Sequence, residues 1–388
     1  MRTDSILVIP YADGIGDFVN MQPLLAAARR RFPEAAFTVA ASEHGKLLIN
    51  DPNIEVATPS ALKLEAGRLA IVRPLLPQTL LAWMAGPVFD RELGPFDLVI
   101  NFFYAWERGM DFRTYWTPQV PPLPGAVHTL DFLADALERE LGVVITLTQR
   151  KPRLVLRPSA IKWAWRFWIE HDLEDERVVG LVPFTNMRIK RWPLHNWLRL
   201  DTDLRSKGLR TLLFCDRPDG PLQRALGCVG QDPTAGHTTG AGAIPVHTSL
   251  DNVAGLLARC DLVVGVDTGL LHMAGALGVP WVGLFGPTNP DVTGPYDRSR
   301  GIALVAPFPK EPSCAGCWKH FKYENDSCLT FLPSNGSCMS YLQEPEVLTA
   351  CLQMLDEGAQ MPGVPGAGLP DYAARQPDVG FAGTFAEA

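Results

Sequence analysis

The chain has no long hydrophobic run and no long run of lysine or arginine. A helix needs roughly 20 apolar residues to cross a bilayer, and no stretch of the 388 residues approaches that length, so we expect no transmembrane segment. The net charge is −7, and without a basic cluster nucleic acid is not an expected partner. An acidic protein has no overall attraction to an anionic membrane, so at most a peripheral position at the inner membrane face is expected.

The N-terminus lacks the features of a signal peptide. Its apolar run, Ile6–Pro10, has the length of a first β-strand. We therefore expect the chain to stay in the cytosol.

Cysteine residues are sparse, and half of them lie between residues 314 and 338. Four of the eight cysteines are scattered and are expected to be small buried apolar residues. The others follow the pattern C-x2-C-x10-C-x9-C and are Cys314, Cys317, Cys328 and Cys338. Four thiolates at such spacing can hold a structural Zn or Fe ion, and a cytosolic setting disfavours disulfides. The alternative is a reduced, cysteine-rich loop without metal.

The first glycine loop lacks one residue of the dinucleotide-binding fingerprint. Gly14 and Gly16 are present, but Val19 stands where the third glycine belongs, so hydride transfer is a weak hypothesis. Asp17 lies at the mouth of the predicted sheet, where a carboxylate either performs chemistry or favours the start of a helix. We predict that helix from about Pro23, in its first turn, to Phe32.

Strands alternate with helices along the chain, with helices expected at Thr129–Leu141 and Leu194–Ser206, which predicts an α/β fold with doubly wound parallel sheets. Two such series predict two Rossmann-like domains facing a cleft, residues 1–155 and residues 156–344, the second containing the Cys-rich segment 314–338. Ser159 is predicted to cap a helix that ends near His171. A final helix, 345–358, is expected to pack back on the first domain. The Gly-, Pro- and Ala-rich stretch 359–388 is expected to be a disordered tail.

Residues 267–290, DTGLLHMAGALGVPWVGLFGPTNP, are the most informative stretch. They follow a buried-strand pattern, so Asp267 and Thr268 are predicted to cap a helix at the carboxyl end of a strand, where open α/β sheets bind ligands. Free N–H groups and the helix dipole there suit a phosphate or diphosphate. Gly269 leaves space for it, and His272, one turn later, can point at the same ligand.

This string, D-[ST]-G-x-x-H-x-A-x-A-x-x-x-P-x-x-x-L-F-G-P-T, resembles the nucleotide-sugar motif of glycosyltransferase family 9, the bacterial heptosyltransferases. The resemblance extends over residues 5–357 and implies the two-domain GT-B architecture. Family members carry a Gly-Asp pair in the first loop and a proline about six residues later, matched here by Gly16, Asp17 and Pro23. By that resemblance Asp17 is the general base, and Gly14 and Gly16 let the backbone approach the sugar.

The segment Ile189–Pro193 matches a second family motif, K-x-W-P, after the first strand of the second domain. The resemblance implies that Lys190 contacts the phosphates of the nucleotide sugar, with Thr185 as a weaker hydroxyl donor. A cation at this place neutralises a diphosphate leaving group. The chain lacks a convincing D-x-D loop, so we expect no metal or other cofactor in catalysis.

The resemblance implies an inverting, metal-independent glycosyltransferase that transfers a heptose from ADP-heptose to a lipopolysaccharide core or related glycan. One alternative keeps the enzyme class and makes the acceptor a protein. Autotransporter heptosyltransferases resemble the chain in this way and hold iron in a four-cysteine finger. An alternative from another class is a catalytically inactive nucleotide-sugar-binding module, which the joint presence of Asp17, Lys190 and His272 disfavours.

Overall fold

The computed structural model of the chain describes residues 3–10, 14–41, 45, 48–49, 53–57, 96–102, 127–215, 242–307, 321–322, 327–328 and 337–360. Among these residues no helix is long and apolar enough to span a bilayer. The predicted tail beyond Gln360 and the stretch 103–126 lie outside the described residues.

The first sheet has four parallel strands in the order β3-β2-β1-β4. They are β1 (Ser5–Ile9), β2 (Ala36–Ala40), β3 (Ile54–Ala57) and β4 (Leu98–Asn101). Helix α1 (Ile15–Arg31) follows β1, and helix α2 (Thr129–Leu141) packs against α1. Helix α2 has the predicted bounds, and it ends at Gly142, whose φ of 64° is the left-handed conformation that glycine adopts without strain.

The second sheet has six parallel strands in the order β10-β9-β8-β5-β6-β7. Counted from β5, this is the Rossmann order 3-2-1-4-5-6, read from the other edge. Its strands are β5 (Val178–Val182), β6 (Arg210–Phe214), β7 (Ile244–Val246), β8 (Leu262–Val266), β9 (Trp281–Phe285) and β10 (Gly301–Val305). Its helices are α3 (Pro158–Glu170), α4 (Leu194–Ser206), α5 (Leu250–Leu257), α6 (Gly269–Ala276), the short α7 (Pro290–Thr293) and α8 (Glu344–Gln360). Two antiparallel strands of two residues each, β11 (Phe321–Lys322) and β12 (Ser327–Cys328), form a separate small sheet.

Alternate residues of the second sheet enter two different cores. Val263 of β8 belongs to the core under α3, α5 and α6, whereas its neighbours Leu262 and Val264 belong to the core under α4 and α8. The strand period of two therefore gives helices on both faces. The first of these cores continues without a break into the first sheet, where it includes Ile6 and Phe37.

Helix α1 begins eight residues before the predicted start. Gly14 is the extended N-cap residue, Asp17 stands in the first turn, and Pro23 lies buried in the middle of the helix. A proline there removes one backbone hydrogen bond. Burial of Phe18 and Met21 on the preceding turns outweighs that loss, so the preference of proline for a first turn placed the helix start wrongly.

Two predicted helix caps also differ from the structure. Arg157, not Ser159, is the N-cap residue of α3, because Pro158 occupies the first helical position, for which its fixed φ is suited. Thr268 does hold the N-cap position of α6, but its side chain makes no capping hydrogen bond. The Asp267 carboxylate is used elsewhere, as described below.

The last helix packs on the second domain rather than on the first. Helix α8 lies against α4 and strands β8–β10, and Val347, Cys351 and Leu355 are buried in the core with Val264. The Arg177 guanidinium donates to the Leu355 carbonyl at 2.9 Å. An amphipathic pattern shows that a helix has an apolar face but does not show which surface that face covers. The domain boundary at residue 155 falls between α2 and α3 and remains a prediction.

Candidate active site

The strand order places the most informative loops at the switch point of each sheet. In the second sheet β5 and β8 are neighbours, and the chain continues from them toward opposite edges of the sheet. In the first sheet β1 and β4 are neighbours as well, with β2 and β3 on the other side of β1. Ligands of open α/β sheets bind at the carboxyl ends of such strands. Thr185 and Lys190 follow β5, Asp267 follows β8, and Asp17 follows β1.

Lys190, Asp267 and His272 form one buried cluster. Lys190 ends a 3₁₀ turn, Arg188–Lys190, and its Nζ lies 2.8 Å from Asp267 Oδ2. His272 Nε2 lies 3.7 Å from Asp267 Oδ1. Burial on its own would raise the pKa of Asp267, but Lys190 and His272 together hold that pKa well below its ordinary value. Asp267 is thus an anion at neutral pH, and its charge offsets that of Lys190.

The His272 side chain has one polar atom left over. The residue is 6% exposed, and its Nδ1 is buried with no hydrogen-bond partner. A buried polar atom in a native protein is normally satisfied by protein, water or ligand. His272 is therefore held on its Nε2 side by the cluster and has unused hydrogen-bonding capacity on its Nδ1 side.

The N-terminus of α6 supplies further positive potential at the same place. Thr268 has the extended backbone of an N-cap residue, with φ −150° and ψ 163°. The N–H groups of Gly269 and Leu270 precede the first bonds of the helix, which Leu271 N and His272 N donate to Thr268 O at 3.1 and 3.4 Å. Because the Thr268 side chain does not cap them, these groups and the helix dipole face the switch point.

The first loop brings a carboxylate to the opposite side. The Gly14 N–H donates to Asp17 Oδ2 at 3.2 Å, which fixes the carboxylate beside the loop backbone. Asp17 is partly buried and so remains open to a substrate. The structure thus places a carboxylate from the first sheet and a lysine–aspartate–histidine cluster from the second at facing strand ends.

Two glycines bring α1 and α6 together at this point. A Cβ atom at Gly16 would lie 2.7 Å from His272 Cδ2, and one at Gly269 would overlap Ile15 Cβ and lie 3.1 Å from Gly16 N. Such distances are too short for real side chains, so each helix starts where the other has no side chain. The space beside Gly269, which we expected to admit phosphate oxygens, is thus occupied by Ile15 and Gly16.

Thr185 is engaged in its own turn. Its Oγ1 accepts from Met187 N–H at 3.3 Å, and its carbonyl accepts from Arg191 Nε at 3.1 Å and Nη2 at 3.0 Å. Arg191 thus closes the loop that presents Lys190. A guanidinium folding back on a carbonyl six residues earlier leaves no recognisable sequence pattern.

The cysteine cluster is described only in part. Cys314 and Cys317 lie outside the described residues, and Cys328 is known only as a backbone position in β12. The Cys338 thiol is buried and lies close to Gly286. Within the described part of the chain no group of three or more potential metal ligands occurs, and the four-cysteine metal site remains a prediction.

A cavity of about 310 Å³ lies away from these groups, near the C-terminal half of α1. Arg29, which lines it, is twelve residues from Asp17, or about 18 Å along a helix. Polar groups converge instead at the strand ends, which form the candidate active site.

Comparison with known proteins relates the chain to bacterial heptosyltransferases. Residues 148–317, which include β5–β10, match the family model described as glycosyltransferase family 9 (heptosyltransferase). Lipopolysaccharide heptosyltransferase 2 of Escherichia coli (strain K12) is 28% identical over 318 residues, which are 76% of this chain and 87% of that protein.

Solved structures extend the likeness to the whole fold. A family 9 glycosyltransferase from Veillonella parvula DSM 2008 has a TM-score of 0.58 at 21% identity, covering 92% of this chain and 99% of that one. The iron-containing dodecameric glycosyltransferase TibC from enterotoxigenic E. coli H10407 has a TM-score of 0.55 at 14% identity, covering 92% and 77%. At these identities the likeness concerns the fold alone, which is the GT-B architecture of two Rossmann-like domains.

Proposed function

Because this chain is a glycosyltransferase whose residues 148–317 match the family 9 model, we propose that it transfers a heptose from ADP-heptose to a lipopolysaccharide core or related glycan. The observation that carries the proposal is the meeting of two strand ends. Asp17 from the first sheet faces Lys190, Asp267 and His272 from the second, across the Gly16–His272 contact.

The proposed reaction is a single displacement at the anomeric carbon. Asp17 takes the proton of an acceptor hydroxyl, and that oxygen forms a bond to the anomeric carbon while the bond to the diphosphate oxygen breaks. ADP leaves with the electron pair of the broken bond. Attack from the face opposite the leaving group inverts the anomeric configuration, in agreement with a base and a leaving-group site on different domains.

Charge on the departing diphosphate is the main obstacle, and protein groups address it without a metal. Lys190 and the N–H groups at the start of α6 converge on the place where the diphosphate would lie. Lys190 is already paired with Asp267, which keeps the ammonium in place before the donor binds. This preorganisation is the proposed role of Asp267, and Thr268, the backbone N–H of Gly269, His272 and Thr185 complete the proposed donor site.

Replacement of the base tests the mechanism. Asp17→Asn should reduce the rate of transfer by about 10²–10⁴-fold, with the affinity for ADP within twofold of wild type, since ADP binds the other domain. Glu34→Gln, at an exposed carboxylate, is the matched control and should change neither quantity. A variant with a near wild-type rate would remove Asp17 from the mechanism. Transfer that persists in a chelator, and the anomeric configuration of the product by NMR, test metal independence and inversion.

A protein acceptor is the second candidate, and the spacing of the four cysteines favours it. TibC, with a similar fold, is an iron-containing heptosyltransferase, and the chain has no basic run to attract a phosphorylated glycan. Transfer from labelled ADP-heptose to purified lipopolysaccharide core, compared with transfer to protein, separates the two. Absence of transfer to both, with ADP still bound, would favour an inactive sugar-nucleotide-binding module.

A further inference from the structure

The N-terminus of α2, in the first domain, is hydrogen-bonded to a loop of the second. His128 Nε2 lies 2.9 Å from the Gly294 carbonyl oxygen, and Thr129 Oγ1 donates to the Val292 carbonyl at 3.0 Å. Both side chains are buried. These bonds join residues 163 and 166 positions apart in the chain, so they fix the relation between domains rather than local structure.

Hydrogen bonding also sets the protonation state of His128. Its Nδ1 accepts from Leu130 N–H at 3.1 Å, so in the neutral ring the hydrogen is on Nε2 and is donated to Gly294. Burial is the main cause that lowers the pKa of His128 to about 4, with the Gly294 bond opposing it. The charged or titratable groups that face the ring from neighbouring elements are His272, Asp131, Arg298 and Tyr296.

The ring therefore has two separate duties. Through Nδ1 it caps its own helix, and through Nε2 it reaches the other domain. Tyr296, which packs edge-on against the ring, adds a parallel link by donating to Asp131 Oδ1 at 2.7 Å. The domains are thus joined at a second place, besides the contact of α1 with α6.

This second place is mechanically connected to the proposed base. Leu130, Leu133 and Leu137 of α2 are buried in the same core as Phe18, the residue after Asp17. A tilt of α2 away from Gly294 would carry α1 with it and change the distance from Asp17 to the donor. Misplacement of a catalytic group by about 1 Å can cost roughly 10²-fold in rate.

We propose that His128 and Thr129 are positioning residues, whose bonds to the carbonyls of Gly294 and Val292 orient the first domain so that Asp17 faces the anomeric carbon of the bound donor. The inference rests on the proposed function, because it takes Asp17 as the base and the second domain as the donor site.

Two substitutions separate the duties of the ring. In His128→Asn the carboxamide oxygen can still accept from Leu130 N–H, but the side chain is too short to reach Gly294. In His128→Gln the amide nitrogen replaces Nε2 and can still donate to Gly294, but the cap is weakened. Thr129→Val removes the second bond with little change of shape, and Thr129→Ser retains it.

We expect the rate of transfer to fall by roughly 10–100-fold in His128→Asn and in Thr129→Val, and to stay within about threefold of wild type in His128→Gln and Thr129→Ser. Affinity for ADP should be unchanged in all four, and thermal melts should show that all four are folded. A loss in His128→Gln without a loss in His128→Asn would overturn the proposal and leave His128 as a helix cap, and equal losses in the two variants would overturn it as well. Wild-type rates in His128→Asn and Thr129→Val would overturn it as well.

A structural measurement keeps this test distinct from that of the proposed function. Small-angle scattering should show a changed interdomain distance distribution in His128→Asn but not in His128→Gln. A wild-type protein without any transfer activity would contradict the proposed function and leave this difference intact. Identical scattering and identical rates for the two variants would contradict the interdomain role while the proposed function stands.

Discussion

Separating Lys190 from Asp267 should affect stability and donor binding in different ways. Lys190→Met keeps the length of the side chain and removes its charge. The two side chains are 13% and 6% exposed and lie 2.8 Å apart, so the substitution leaves a buried carboxylate without its main partner. Loss of one partner of a buried pair costs about 3–5 kcal/mol. His272 at 3.7 Å compensates in part, so we expect about 3 kcal/mol.

A double-mutant cycle tests the origin of that loss. In Lys190→Met the Asp267 carboxylate is buried without its partner. Asp267→Asn removes that charge, so the double variant should recover most of the free energy of unfolding that Lys190→Met loses. Affinity for ADP should remain low in Lys190→Met and in the double variant, because the cation is absent from both. Lys162→Met, at an exposed lysine, is the matched control. Urea unfolding and calorimetry with ADP give the two quantities.

The pH dependence gives a further check with a defined sign. In the wild type the depressed pKa of Asp267 contributes stability that is present above its unfolded value of 3.8 and lost as the pH falls through the lower folded value. Without Lys190, burial dominates and raises that pKa, so Lys190→Met should lose more stability at pH 8 than at pH 5. Unchanged stability at both values, together with lost ADP binding, would refute the ion pair.

Three further results are expected. The pKa of His128 is about 4 in the folded protein, against an ordinary value of 6.5. Its contribution to stability is therefore complete above pH 6.5 and falls by about 3 kcal/mol as the pH drops to 4. Urea melts of His128→Gln should lack this pH-dependent loss, and identical pH profiles for the two proteins would contradict burial of the neutral ring. Gly269→Val should lower the free energy of unfolding by about 1–3 kcal/mol through overlap with Ile15 Cβ; the same substitution in an Ile15→Gly background, which lacks that Cβ, should cost less, and an equal cost would place the strain elsewhere. Elemental analysis should find at most one equivalent of Zn or Fe, lost in Cys314→Ser and Cys317→Ser, and metal-free, stable, active wild-type protein would leave the cysteines as packing residues.

Local sequence patterns predicted the bounds of helices and strands better than they predicted which distant residues these elements contact. The bounds of α2 and α4 agree with prediction because each helix has a uniform amphipathic period between clear turn residues. The start of α1 was wrong because Pro23 satisfies the rule for a first turn, and only the burial of the preceding residues shows that the helix starts earlier.

The site residues were predicted one loop at a time. Sequence analysis identified the strand-end segments that contain Asp17, Lys190 and Asp267, but it assigned Asp267 to a helix cap. Its pairing with Lys190, 77 residues away, depends on β5 and β8 being neighbours. The cross-domain bonds of His128 were missed for the same reason, although its place directly before Thr129 is a typical N-cap position.

The reciprocal approach of Gly16 and Gly269 has a consequence for the divergence of such chains. Each glycine leaves room for the helix that carries the other: a side chain gained at Gly16 would meet the buried ring of His272, and one gained at Gly269 would meet Ile15 Cβ and Gly16 N. A lineage could enlarge one of these residues only by moving both helices apart, and that movement would separate Asp17 from the Lys190–Asp267 pair. Substitutions at Gly16 and at Gly269 are therefore under the same structural constraint, although the two positions are 253 residues apart.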